Sequence, residues 1–168
     1  VLLDLVHEID YLLWFWGLPQ KVLGHVDKVS YLEITTDDTC SAILVYDKGF
    51  TVDLHLDYLS HKNLRGCIIT GDNGTLEWSD VSGTVNFYSR SGKRPEIVFQ
   101  LSKEYDFNDT YVATLKNFIG ILRSNNESIV SIKDAVDTMC VVEAIRVSSD
   151  SKKAVYLENG SLTLRSQH

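Results

Sequence analysis

The feature that most constrains this chain is a change of period. Apolar residues repeat with helical spacing at the start, alternate through a long middle stretch, and return to helical spacing near the end. From Leu2 to Trp16, the residues Leu2, Leu5, Val6, Ile9, Leu12, Leu13 and Trp16 follow the i, i+3, i+4, i+7 rule. They predict an amphipathic helix that Gly17 and Pro19 end. Between Lys21 and Leu101 the segments VLGHVDKVSYLEI, TCSAILVY, FTVDLHLDYL, LRGCIITG, GTLEWS, TVNFYS and EIVFQL are rich in branched and aromatic residues and read as strands. Turn signals at Asp47-Lys48-Gly49, Asp72-Asn73-Gly74 and Ser82-Gly83 are short enough to join antiparallel neighbours.

Helical spacing returns in Val112, Leu115, Phe118, Ile119 and Leu122, a stripe entered through Asn108-Asp109. A second helix is expected behind a capping box of Ser131 and Asp134, with Ile132, Ala135, Val136, Met139 and Val142 as its stripe. The segment KAVYL is expected to rejoin the sheet. Strands segregated from helices in this way predict an α+β fold: an open, mainly antiparallel sheet with helices packed on one face. A length of 168 residues suits a single domain covering 1–168, with a core that needs no disulfide or metal staple.

Composition excludes several function classes. A net charge of −7 lacks the basic footprint of a nucleic-acid binder. No apolar run reaches the roughly 20 residues of a bilayer span, and no basic region of a signal peptide precedes the first helix. The three cysteines are far apart and form no CxxC pair, so a reduced, cytoplasmic compartment is expected.

The first helix carries chemistry on the side away from its apolar stripe. At about 100° per residue, Asp4, His7, Tyr11, Trp14 and Phe15 share that side. A solvent-facing side would hold Lys, Glu and Gln; this one predicts a cover. Each aromatic taken singly is most simply core packing. His7 one turn from Asp4 suits an oriented acid/base group, because a carboxylate can fix the imidazole tautomer. Asp4, His7 and Asp10 also stand at successive i+3 steps, which leaves a metal-dependent hydrolase as an alternative. HEIDY is not a HEXXH motif, however, and no other ligand cluster has recognisable spacing, so no metal is expected.

VLLDLVHEIDYLLWFWG resembles the helix that opens the C-terminal domain of the Gfo/Idh/MocA oxidoreductases, the glucose–fructose oxidoreductase and inositol dehydrogenase group. The similarity continues through DDTCSAILVYDKGFTVDLHLDYL, LRGCIITGDNGTLEWSD and NDTYVATLKNFIGILRSNNESIV to the closing helix and KAVYL, in order. It implies a two-domain enzyme that moves hydride between NAD or NADP and a sugar, nucleotide sugar or polyol. A Rossmann domain with a Gly-rich loop and a Glu-Lys-Pro lysine would precede Val1. The ten glycines here form no GxGxxG, and the two prolines are Pro19 and Pro95, so this chain is expected to bind no cofactor and to be inactive alone.

Carried across, the resemblance makes His7 the acid/base and Asp4 its orienting or substrate-hydroxyl partner. Many members space this pair by four residues, whereas here the spacing is three. On a helix that moves the acid from about 40° on one side of the histidine to about 60° on the other. Tyr11 and His61, in the loop SHKN, are candidate substrate contacts. Arg65 is expected in a structural ion pair. Asp53, His55 and Asp57 alternate with Val52, Leu54, Leu56 and Tyr58, giving a polar sheet face that the family commonly packs against another subunit. A homo-oligomer through the open sheet face follows. A member of the same fold that binds sugar or serves as scaffold without turnover is the other reading.

Overall fold

The computed structural model describes residues 1–92, 94–124, 128–158 and 161–164. The elements run α1 (Val6–Trp16), β1 (Lys21–Asp27), β2 (Thr39–Val45), β3 (Thr51–Asp57), β4 (Gly66–Gly71), β5 (Gly74–Ser79), β6 (Thr84–Ser89), β7 (Glu96–Gln100), α2 (Asn108–Ser124), α3 (Ile132–Ser151), β8 (Val155–Glu158) and β9 (Ser161–Leu164). The α+β class and the antiparallel pairing agree with the alternation in the sequence. The strands fall into two sheets, ordered β3-β2-β1-β8-β9 and β4-β5-β6-β7. The break comes at SHKN, where the alternation stops and β3 is left as an edge.

The chain forms two compact units, one holding residues up to Leu59 with those from Ile129 onward, the other Ser60–Ser128. In the first, strand alternation puts Val22, Cys40, Ala42, Leu44, Leu54 and Leu56 on one face of the sheet, all buried. Ile9 and Leu12 of α1 and Val141, Val142, Ala144 and Ile145 of α3 close this core. In the second unit, β4 to β7 form a nearest-neighbour meander with a register shift at Val85/Asn86. The stripe on α2 is helical as its spacing predicts, but Leu115, Phe118 and Leu122 are exposed.

Close approach of α3 to β1 depends on Gly24. A Cβ there would lie 2.7 Å from the Ile145 carbonyl oxygen, closer than any side chain tolerates. Beyond Lys21 and Val22, which pair with β8, α3 serves the same edge of β1 with hydroxyls. Ser148 Oγ accepts from the Gly24 N–H at 2.9 Å and donates to the Lys153 carbonyl at 2.7 Å. Ser149 Oγ accepts from the Val26 N–H at 2.9 Å. Strand groups that would otherwise be buried without partners are thereby satisfied. The Ser131–Asp134 capping box is present in both directions and starts α3.

Helix α1 begins at Val6, four residues later than the spacing predicts, and Leu2 to Leu5 form a turn before it. Leu5 supplies no side-chain cap, and the Leu2 N–H donates to the Asp37 carboxylate at 2.7 Å. Leu2 is nevertheless fully buried, so its place in the apolar pattern reports packing correctly. Gly17, at φ 74°, ends the helix as expected. Among the described residues no helix is long and apolar enough to cross a membrane.

Asp38 organises the connection from β1 to β2. It is fully buried, and its carboxylate accepts from the Val29 N–H at 2.9 Å, the Ser30 N–H at 3.0 Å and Ser30 Oγ at 2.5 Å. The Ser30 hydroxyl is the main cause that holds its pKa below the ordinary aspartate value, with the two N–H groups adding to it.

Two predictions follow from these contacts. Replacing Ser148 with Ala leaves the Gly24 N–H and the Lys153 carbonyl without partners and should cost about 1–3 kcal/mol; a loss below about 0.5 kcal/mol in urea denaturation would contradict this use of the hydroxyl. Because the folded-state pKa of Asp38 is lowered, its contribution is full above about 3.9, the unfolded value, and fades as pH falls through the folded value. The urea midpoints of wild type and Asp38→Asn should therefore differ at pH 7 and converge at acid pH; a gap independent of pH would count against the ionised carboxylate.

Candidate functional site

The side of α1 that the sequence marks out is open. Trp14 is 80% exposed and Phe15 47%, while Tyr11 is half-buried against the core. The rings run in a row, with Tyr11 and Phe15 edge to face at 5.8 Å, Trp14 and Phe15 at 5.3 Å, and Phe15 and Trp16 at 5.2 Å. Trp16 anchors the row at its far end, packing on Phe50, which stacks on the buried Tyr46. An aromatic wall held at one end by the core and bare along its length suits an amphipathic ligand or a covering domain.

His7 and Tyr11 belong to this element, and Asp4 lies in the turn before it. The imidazole of His7 is about half exposed, so it can meet a ligand from solvent. The predicted pairing of Asp4 with His7 is replaced by two others. His7 Nε2 lies 3.1 Å from the Glu8 carboxylate, which is buried. Asp4 accepts a hydrogen bond from the Tyr58 hydroxyl at 3.0 Å. The reason is local: with the helix beginning at Val6, Asp4 is off the helical lattice on which the one-turn argument depends. Burial raises the Tyr58 pKa first, followed by the hydrogen bond to Asp4 and the charges of Asp4 and Asp37. The phenol is thus a donor throughout the neutral range.

Asp10 faces a different neighbour. It accepts from Thr138 Oγ1 at 3.0 Å and ties α1 to α3. Asp4, His7 and Asp10 thus have separate partners, and among the described residues no three His, Cys, Asp or Glu side chains converge as a metal would require.

His61 lies in the second unit, exposed in the loop before β4. Arg65 places its guanidinium 5.6 Å from the centre of the Trp78 ring, a cation–π contact. His55 is bracketed on the outer face of the first sheet by Ser41 Oγ at 3.0 Å and Asp57 at 3.1 Å. His25, Ser41 and His55 form one row across three strands, with Leu23, Ile43 and Asp53 in the next. His25 also lines a shallow cavity with Asp27, Ser148 and Ser149, and the row forms the polar sheet face predicted from the alternation.

Sequence reasoning missed Glu8 and Tyr58. Glu8 stands beside His7 in the chain, but an adjacent residue on a helix does not face its neighbour and so attracts no notice. Tyr58 is 54 positions from Asp4, and nothing local announces the contact.

Residues 1–157 match a protein-family model, that of the C-terminal alpha/beta domain of the Gfo/Idh/MocA oxidoreductase family. Comparison with curated protein sequences gives no match. Among solved structures, an oxidoreductase from Agrobacterium radiobacter in complex with NAD+, L-tartaric acid and magnesium is similar over 90% of this chain and 47% of its own, at 19% identity and a TM-score of 0.73. A Desulfitobacterium hafniense protein assigned as an NADPH-dependent oxidoreductase shows 17% identity over 90% and 46%, with a TM-score of 0.75. The UDP-N-acetylglucosamine 3-dehydrogenase of Acidithiobacillus ferrooxidans shows 15% identity over 87% and 45%, with a TM-score of 0.70. The chain thus spans about half the length of the solved structures it matches. Fold, order of elements and family model agree, and the chain belongs to the Gfo/Idh/MocA oxidoreductase family, as its C-terminal alpha/beta domain.

Proposed function

We propose that this chain is the substrate-binding half of an NAD(P)-dependent oxidoreductase acting on a sugar, nucleotide sugar or polyol, and that it works only beside an N-terminal Rossmann half. The observation that carries the reading is the bare side of α1, where the half-exposed His7 shares a helix with the exposed rings of Trp14 and Phe15, and Asp4 stands in the turn before it. A polyhydroxylated substrate has C–H faces to lie on such rings and hydroxyls to meet the carboxylate and imidazole. Domain membership in an oxidoreductase family supports the reaction class.

Among the described residues, no Gly-rich turn opens a helix, the arrangement that would make a dinucleotide cradle. Pyrophosphate binding uses N–H groups of a Gly-rich turn that opens a helix. Among the described residues, the glycines with positive φ are Gly17, which ends α1, and Gly49, Gly74 and Gly83, which lie in or beside strand turns. The nicotinamide, whether of NAD or NADP, therefore belongs to the companion half. The task of this chain is to bind the sugar and exchange its hydroxyl proton at His7. The exposed Leu23 and Ile43 on the outer face of the first sheet support packing of a second copy there, burying more than about 1,000 Å² in total. A cytoplasmic setting suits the cysteine pattern.

The test is turnover of nucleotide sugars and polyols with NAD+ and NADP+ by the protein joined to its Rossmann half. His7→Asn keeps a hydrogen-bonding group without the titratable ring and should lower turnover roughly 10²- to 10⁴-fold. Its stability should hardly change, because the side chain is 49% exposed. Turnover within about threefold of wild type would remove His7 from the chemistry, and micromolar binding of NADH by the isolated chain would overturn the division of labour between the halves.

A further inference from the structure

Three acidic side chains stand close to His7 in the sequence; Asp10 is taken by Thr138 of α3, and the fold gives Asp4 and Glu8 different work. The Glu8 side chain is 10% exposed, and its Oε1 lies 3.1 Å from His7 Nε2. A carboxylate sheltered from water acts on a neighbouring imidazole more strongly than a solvated one, because less solvent screens it. It favours the N–H on Nε2 and leaves Nδ1 as the atom able to accept a proton.

Asp4 is exposed and has been drawn to another partner. The Tyr58 hydroxyl donates to its Oδ2 at 3.0 Å. Tyr58 follows the last residue of β3, and its N–H donates to the Asp38 carbonyl at 3.0 Å. The phenol is therefore fixed to the connection that the buried Asp38 carboxylate organises. A carboxylate has about four acceptor positions on two oxygens, so Asp4 retains capacity for a ligand while Tyr58 holds it.

We propose that the two acids divide the site: Glu8 is the carboxylate that serves His7, and Tyr58 is a positioning residue that holds Asp4 for a hydroxyl of a polyhydroxylated substrate. The proposal rests on the reading of His7 as the acid/base. It explains why a spacing of three residues between Asp4 and His7 is compatible with a working site: the carboxylate that tunes the imidazole is the adjacent one.

The experiment is nitrogen NMR of the histidine rings in this chain labelled with 15N-histidine, the His7 signals being identified by their loss in His7→Asn. At alkaline pH, wild-type His7 should show one tautomer, with a pyrrole-type Nε2 and a pyridine-type Nδ1. Glu8→Gln should move both signals toward the tautomer mixture of a free histidine, while Asp4→Asn and Tyr58→Phe leave them in place. A shift in Asp4→Asn as large as that in Glu8→Gln, or none in a folded Glu8→Gln, overturns the assignment. Should Glu8→Gln not fold, the two other variants still decide it, since movement of the His7 signals in either contradicts the proposal.

In the protein joined to its Rossmann half, Asp4→Asn should raise KM about tenfold, the loss of one hydrogen bond to a charged group. Tyr58→Phe should follow in the same direction by roughly threefold, with the loss carried by KM rather than kcat. A fall in kcat at unchanged KM in Tyr58→Phe would overturn the positioning role. Absence of turnover by the wild type would remove the dehydrogenase reading, and the ring spectra decide between the two acids without it.

Discussion

Helix α3 lying hard against β1 is the contact on which the first unit depends. Gly24 admits it, since any side chain there would strike the Ile145 backbone, and Ser148 and Ser149 complete the hydrogen bonding of the strand edge that α3 covers. With α3 in place, Val141, Val142 and Ile145 form the surface on which α1 buries Ile9 and Leu12. Thr138 adds the hydrogen bond to Asp10 that fixes the rotation of α1. The direction in which His7 and Trp14 point is set by these contacts on the opposite side of their own helix. The face proposed to meet substrate is thus held by contacts on the opposite side of its helix.

That arrangement makes the outer side of α1 unusual. A helix whose apolar stripe is satisfied by the core ordinarily shows charges and amides to water. Here it shows Trp14, Phe15 and part of Tyr11, beside one imidazole and one carboxylate. Ordering exposed aromatics confers little stability, so their presence makes sense as one wall of a cleft whose other wall is contributed from elsewhere. Family membership and the half-length match to two-fold longer oxidoreductase chains fit that picture.

Much of this was legible from periodicity alone. The capping box at Ser131, the stop at Gly17 and most of the strands are found where local chemistry puts them, though the segment VLGHVDKVSYLEI is strand only as far as Asp27. What periodicity cannot carry is partnership. The stripe of α2 has the right spacing for burial, yet Phe118 and Leu122 are exposed, since spacing specifies a helix but not what covers it. The start of α1 lies at Val6 rather than Leu2, because Leu5, at φ −97° and ψ 24°, leaves the helical conformation. The same slip took Asp4 off the helix and gave it to Tyr58. That His7 lies off the apolar stripe could be anticipated; its acidic partner could not, because that depended on where one helix begins.

The central claim is that the aromatic side of α1 is one wall of a site completed by a nucleotide-binding half. Covalent labelling of tryptophan, read by mass spectrometry on the peptide that contains Trp14, tests it most directly. In this chain alone Trp14, 80% exposed, should label readily. In the protein joined to its Rossmann half, labelling of Trp14 should fall several-fold, with Trp16, already packed on Phe50, little changed. Equal labelling of Trp14 in both would contradict the account, because the wall would then face only water.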